Sequence, residues 1–331
     1  MPYLEPLTEW YLVSAGCDSA WLRRPASEAN RMAACFGLLA TLVLARPRTD
    51  NPILLGTLNL FWSLAMPHGN EVPATGTTHD HWDREFRRFV TLGESTTAGG
   101  WSTVRDRCWA NVLTELINDF QRVPVELINV GIGANVISTK SPCYPHSGKP
   151  AASERIDKHV IAHEPDLLVI SYGLNDARGG TPIDLFCAEL LRLVERVRER
   201  IQPLIVLPGP YYMNNFSFGI HFDHGSLDLF YRYNDAIRRL AELNDCLFAD
   251  LLAAYGETDW LVHGDGVHAN DLGHRIVANR IFEVLASNCS GLALETKHLE
   301  RHIPPWRDES TLRRDFDHES PQARPTGSSH A

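Results

Sequence analysis

The sequence predicts an α/β protein, a three-layer α/β/α sandwich built on a mainly parallel sheet, with a helical extension at its N-terminus. Three observations carry this. Between residues 86 and 286, short apolar and β-branched runs alternate with longer segments whose apolar residues recur at helical spacing. The run Asp166–Ser171, read Asp-Leu-Leu-Val-Ile-Ser, is nearly continuous in apolar residues, as suits a strand covered on both faces. Before residue 80, two uncharged apolar runs, Met32–Ala45 and Ile53–Met66, are separated by Arg46-Pro47 and Asp50-Asn51-Pro52, which reads as a helical hairpin with a capped second helix. The expected organisation is a helical extension and linker over residues 1–80, the main domain over 81–290, and a C-terminal strap with a disordered tail over 291–331.

Taken in order, Val90, Thr91 and Leu92 suit a buried strand, Gly93 permits a tight turn, and Ser95-Thr96-Thr97 can cap a following helix. Val104–Phe120 follows as a helix whose stripe is Trp109, Val112, Leu113, Leu116 and Ile117. Val125–Val130 is a short strand running into Gly131-Ile132-Gly133-Ala134-Asn135, and Ser153–His163 is helical. The strand Asp166–Ser171 stops at Tyr172-Gly173-Leu174-Asn175-Asp176, and Thr181-Pro182 opens a long helix to Arg200. Leu204–Leu207 is a strand, Leu227–Leu243 a helix, Leu247–Ala249 a last short strand and Asp271–Ala286 a last helix. Five strands in this β-α order imply right-handed crossovers and a flavodoxin-like sheet. Every strand then ends at one edge, where the segments after Leu92, Val130, Ser171 and Leu207 gather around one crevice.

Composition narrows the partners. Hydrophobic residues at 44% and charged residues at 22% support a sizeable core, and a net charge of −10 argues against nucleic acid or an anionic membrane surface as a partner. Both early apolar runs are shorter than a membrane span requires, so no integral span is expected. Arg23, Arg24 and Arg31 before the first run imitate a signal sequence, but the leading segment exceeds a secretory n-region, and a cytoplasmic location is expected over export. The seven cysteines are odd in number and scattered without a C-x-x-C pair, which fits a reducing compartment and gives no disulfide framework or structural zinc site. No metal or cofactor is expected.

The chemistry is carried by a serine and a distant loop. A serine hydroxyl needs a base to take its proton, and the base needs an acid to hold its tautomer. Gly264-Asp265-Gly266-Val267-His268 offers both partners three residues apart, just before the last helix. Ser95 is assigned as nucleophile, His268 as general base and then acid, and Asp265 as the group orienting His268. Oxyanion donors are the Ser95 N–H, a backbone N–H of Gly133 or Ala134, and the Asn175 amide. Tyr211, Tyr212, Asn214, Trp101 and Arg178 are candidate substrate contacts, because aromatic groups with amides suit a sugar ester. The metal-capable groups of His79-Asp80-His81-Trp82-Asp83 and of His221-Phe222-Asp223-His224 are read as loops, the latter over the crevice, since accompanying ligand spacings are missing.

These residues resemble the SGNH hydrolases, or GDSL-type esterases and lipases. The family's Gly-Asp-Ser block appears as Gly93-Glu94-Ser95, its second block as Asn129-Val130-Gly131-Ile132-Gly133-Ala134, its Gly-x-Asn-Asp block as Gly173-Leu174-Asn175-Asp176, and its Asp-x-x-His block as Asp265-Gly266-Val267-His268. The resemblance covers roughly residues 86–286. It implies Ser95, Asp265 and His268 as a triad and an oxyanion hole of Ser95, the second-block residue and Asn175. Two departures stand out: Glu94 replaces aspartate beside the nucleophile, and Ala134 falls where the second-block glycine is expected. The expected function is a serine esterase acting on a small-molecule or carbohydrate ester, such as an O-acetyl or short-chain ester. The alternatives are acyl transfer by the same triad and a non-catalytic binding or scaffolding role.

Overall fold

The computed structural model describes residues 79–304 and Glu309; the expected helical hairpin and the end of the tail lie outside these residues. The sheet has five strands: β1 (Arg88–Gly93), β2 (Glu126–Gly131), β3 (Leu167–Ser171), β4 (Leu204–Pro208) and β5 (Leu247–Ala249). All neighbours pair in parallel in the order β2-β1-β3-β4-β5, which is the flavodoxin-like order expected. β3 and β4 are buried along their whole length, as their unbroken apolar sequences require, while the edge strand β2 is only half-buried.

The helices are α1 (Ser95–Ala98), α2 (Trp109–Asn118), α3 (Ala152–His159), α4 (Leu174–Arg178), α5 (Ile183–Arg198), α6 (Leu227–Leu243), α7 (Leu251–Tyr255), α8 (Asp271–Asn288) and α9 (Leu294–His302). α2 packs on α8, whereas α5 packs on both α3 and α6. Helices on both sides bury the sheet and complete the three layers. No helix of the described residues is long and apolar enough to cross a membrane.

Several boundaries differ from the sequence reading, each for a local reason. The helix expected from Val104 begins at Trp109, because Cys108 is extended at φ −60° and ψ 140° and Arg105–Arg107 form a separate 3-10 turn. The N–H of Trp109 is then taken up by His274 Nδ1 of α8 at 3.3 Å. α5 starts at Ile183, with Pro182 in the extended cap position. The short helices α4 and α7 carry too few residues to show a period in sequence. Within the expected C-terminal strap, Leu294–His302 is helical.

The chain runs from β1 to its neighbour β2, then crosses back to β3 on the other side of β1. Strand order therefore reverses between β1 and β3, and the crevice outside their carboxyl ends is where sheets of this kind bind ligands. Gly93 and Ser171 lie side by side at those ends. Only glycine fits at position 93, since a Cβ there would lie 2.1 Å from Thr97 Oγ1 and 2.8 Å from the Ser171 carbonyl oxygen. The ends of β1 and β2 are pinned by Arg155, which is buried and has no carboxylate partner among the described residues. It donates to the Val130 carbonyl, to Gly93 O at 3.1 Å, to Asn135 Oδ1 at 3.1 Å and to the Tyr172 hydroxyl at 2.6 Å.

Candidate active site

Ser95 opens α1, directly beyond the carboxyl end of β1. Its backbone N–H stands in the first turn, where helix amides have no intrahelical acceptor. Asp265 and His268 come from the loop between α7 and α8. An antiparallel bridge between Val262 and Ala269 closes this loop, and His263 N–H donates to the His268 carbonyl at 2.7 Å. Gly266 takes φ +75° between the two functional residues, and a Cβ there would meet the Asn215 Cβ at 2.4 Å. Asn270 caps α8 by accepting the Leu272 and Gly273 N–H groups, both at 3.0 Å, which fixes where the loop ends.

These elements bring the three side chains together. His268 Nε2 lies 2.9 Å from Ser95 Oγ, and His268 Nδ1 lies 2.6 Å from Asp265 Oδ2. The other Asp265 oxygen accepts the Val267 and His268 N–H groups at 2.9 and 3.1 Å. Burial acts to raise the Asp265 carboxyl, but the Val267 N–H and the contacts with His268 overcome it and hold the group below its usual range. Burial pushes the His268 imidazole below its usual value, against the opposing pull of Asp265. Neutral His268 is therefore the resting form at neutral pH. Ser95 and His268 are 4% and 6% exposed, so both side chains are almost fully buried.

The Glu94 departure has a structural account. Its carboxylate reaches across to α4, where Leu174 N–H donates to one oxygen at 3.0 Å and Asn175 N–H to the other at 2.8 Å. Glu94 thus fastens the nucleophile turn to the segment bearing Asn175. Burial, reinforced by nearby Asp176, raises its pKa to about 8. Asp176, raised by burial to about 7, ties α4 to the segment between β2 and α3 by accepting the Ile137 N–H at 3.0 Å and the Ser141 hydroxyl at 2.8 Å. The Asn175 amide donates to the Asn135 carbonyl at 3.1 Å, and its oxygen accepts from Arg178 at 3.3 Å. With its oxygen held by a guanidinium, the amide presents its NH₂ end toward the second-block loop.

Ala134 and Gly133 are both exposed on that loop. Ala134 sits at φ +53°, the left-handed region, where a residue with a Cβ pays about 1–2 kcal/mol. The conformation is held by the Gly148 N–H, which donates to the Ala134 carbonyl at 2.8 Å, and by a bridge between Asn135 and Gly148. Alanine therefore keeps the backbone shape expected of glycine.

The five expected substrate contacts are placed unevenly. Trp101 lies flat on His268, with ring centroids 3.3 Å apart and planes within 5°. Its loop is clamped to the start of α8 by Asp271, which accepts from Thr103 N–H and hydroxyl at 2.7 Å each and from Arg107 at 2.6 Å. Arg178 is buried and engaged by Asn175 and the Phe218 carbonyl. Tyr211 is buried in the core, and Tyr212 and Asn214 both donate to Asp259, at 2.9 and 2.8 Å. Tyr212 and Asn214 thereby brace the loop after β4. Asn215 completes the brace, its amide donating to the Asp265 carbonyl at 3.1 Å. His221, in the loop after Phe218, stacks on His146 of the segment between β2 and α3, with ring centroids 3.6 Å apart.

Among solved structures, an acetylxylan esterase of Geobacillus stearothermophilus, Axe2, shares 20% identity at a TM-score of 0.47, covering 60% of this chain and 94% of its own. A lipase/acylhydrolase from Enterococcus faecalis shares 18% identity at a TM-score of 0.49, covering 60% and 95%. No curated protein sequence matches. Residues 91–276, more than half of the chain, match the model of the GDSL-like lipase/acylhydrolase family. The chain belongs to that family of hydrolases.

Proposed function

We propose that the protein is a serine esterase that cleaves small acyl esters through an acyl-enzyme on Ser95. The observation that carries the reading is the continuous chain of hydrogen bonds from Ser95 Oγ through His268 to Asp265, at 2.9 and 2.6 Å. In this reading Asp265 holds the Nδ1 proton and leaves Nε2 free to accept. As Ser95 Oγ attacks the acyl carbon, its proton passes to Nε2. The negative charge moves to the carbonyl oxygen, facing the Ser95 N–H, the N–H of Ala134 or Gly133, and the Asn175 amide. The alcohol then leaves with the proton from His268. Water, deprotonated by the same nitrogen, attacks the acyl-enzyme and returns the serine.

The near-complete burial of Ser95, with Trp101 lying on the imidazole, favours a small acyl group, and in this reading the alcohol can be a carbohydrate. The test is hydrolysis of p-nitrophenyl acetate by the purified protein. Ser95→Ala should lower kcat by roughly 10⁴–10⁶-fold while leaving the fold intact, and a fluorophosphonate probe should label the wild type at one equivalent. Undiminished turnover in Ser95→Ala, or no labelling of the wild type, would refute the assignment. The second of these outcomes is the one a non-catalytic scaffold requires.

A further inference from the structure

The amino-terminal edge of the sheet, opposite the crevice, holds a cluster that the sequence reading left as a solvated loop. His79 and His81 stand in the segment entering the domain. The structure adds Asp245, from the turn between α6 and β5, far along the chain. His81 Nδ1 is 3.4 Å and His79 Nδ1 4.0 Å from the same Asp245 oxygen, and one ligand atom from each residue lies within 4.8 Å of the other two. We propose that His79, His81 and Asp245 form a binding site for a divalent transition-metal ion, with zinc the expected occupant.

Two imidazoles and one carboxylate are a donor set suited to zinc, which takes three protein ligands and one water in a tetrahedron. With bonds of about 2.0–2.2 Å, tetrahedral donors stand roughly 3.3–3.5 Å apart. His81 and Asp245 already meet that spacing, and the exposed His79 side chain closes the remainder by a small rotation. The surroundings hold the donors in place. Asp80, between the two histidines, is not among the three donors and has its own partner. It is engaged by Ser290, accepting its N–H at 2.9 Å and its hydroxyl at 2.5 Å. His81 N–H is fixed to the Asn288 carbonyl at 2.9 Å. Asp245 sits at φ +47°, and Arg198 braces its turn by donating to the Asn244 and Asp245 carbonyls. Arg198 is thereby occupied by backbone oxygens. The three donors line a cleft of about 340 Å³ together with Trp82, Arg198 and Leu204. A bound ion would cross-link the entry of the domain to the α6–β5 turn, a structural role distinct from ester chemistry.

Isothermal titration of the metal-free full-length protein with ZnCl₂ tests this, alongside His79→Ala, His81→Ala and Asp245→Asn. Asparagine tolerates the left-handed conformation at position 245, and His79 is exposed, so neither change threatens the fold. The wild type should bind one equivalent that each variant loses or binds at least tenfold more weakly. At free zinc 100-fold above Kd, its Tm should rise by roughly 5–10 °C, a shift the variants lack. All three variants should keep wild-type esterase activity without zinc. Absence of a zinc-dependent shift in the wild type, or the same isotherm and shift in all three variants, would overturn the proposal and leave the cluster as histidine–carboxylate contacts alone.

Discussion

Replacing Glu94 by aspartate, the residue usual in the family, should damage this protein. The glutamate spans the gap to α4 with both oxygens, accepting from Leu174 N–H at 3.0 Å and Asn175 N–H at 2.8 Å. Aspartate is shorter by one methylene, about 1.5 Å, which stretches both contacts past hydrogen-bonding distance unless the turn moves. Glu94 is almost fully buried, so the two amides have no water to replace the carboxylate. Each unsatisfied buried donor costs about 1–3 kcal/mol. Partial relaxation should leave a net loss of about 2–3 kcal/mol, lowering Tm by roughly 5–10 °C in a domain of this size. The same amides position Asn175. Complete loss of one oxyanion donor costs about 10²–10³ in kcat, and a displaced one should cost roughly 10–100-fold. Glu94→Asp is to be assayed by thermal unfolding and by initial rates on p-nitrophenyl acetate, with kcat separated from KM. A variant with wild-type Tm and wild-type kcat would show that the bridge from the nucleophile turn to α4 does nothing.

Two further outcomes follow from the same geometry. Burial holds His268 below its ordinary value of 6.5, and only the neutral imidazole can accept the serine proton; the loss of kcat/KM that His268 causes on acidification should therefore have its midpoint under 6.5. A pH–rate profile with an acid midpoint above 7 would contradict this. Arg155→Leu removes the donors to Val130, Gly93, Asn135 and Tyr172 while keeping apolar bulk, and should destabilise the domain by about 3–5 kcal/mol, measured by urea unfolding. A loss below about 1 kcal/mol would show that those acceptors find other partners.

The parts of this molecule that could be read from sequence are those whose cause is local. Continuous apolar runs such as Leu167–Ser171 can hardly be anything but covered strands, and once strand order is known, the exits after β1 and β3 must share an edge. Asp265 and His268 stand three residues apart, so their pairing was visible as well. What stayed hidden depends on partners brought together by folding. Glu94 looked like a defect because its two acceptor bonds end on residues of a helix after another strand. Arg155 looked like an ordinary helical residue, since nothing nearby in sequence announces four acceptors at the strand ends. Tyr212 and Asn214 give no sign in sequence of their shared acceptor, Asp259, far along the chain. The helix expected from Val104 shows the limit in the other direction: periodicity found the stripe of α2 but not its start, which is set by the backbone at Cys108 and by an imidazole from α8.

The ties from Glu94 to α4, from Asp176 to the Ile137 segment, and from Arg178 through Asn175 to Asn135 have one more consequence. They are all internal to the protein. On the proposed mechanism, the oxyanion site is preorganised and needs no substrate to assemble it, so binding energy from a large alcohol or a long acyl chain is not required for that purpose. An enzyme built this way can act on very small esters, and adding groups to the alcohol would tighten capture more than it would speed the chemical step.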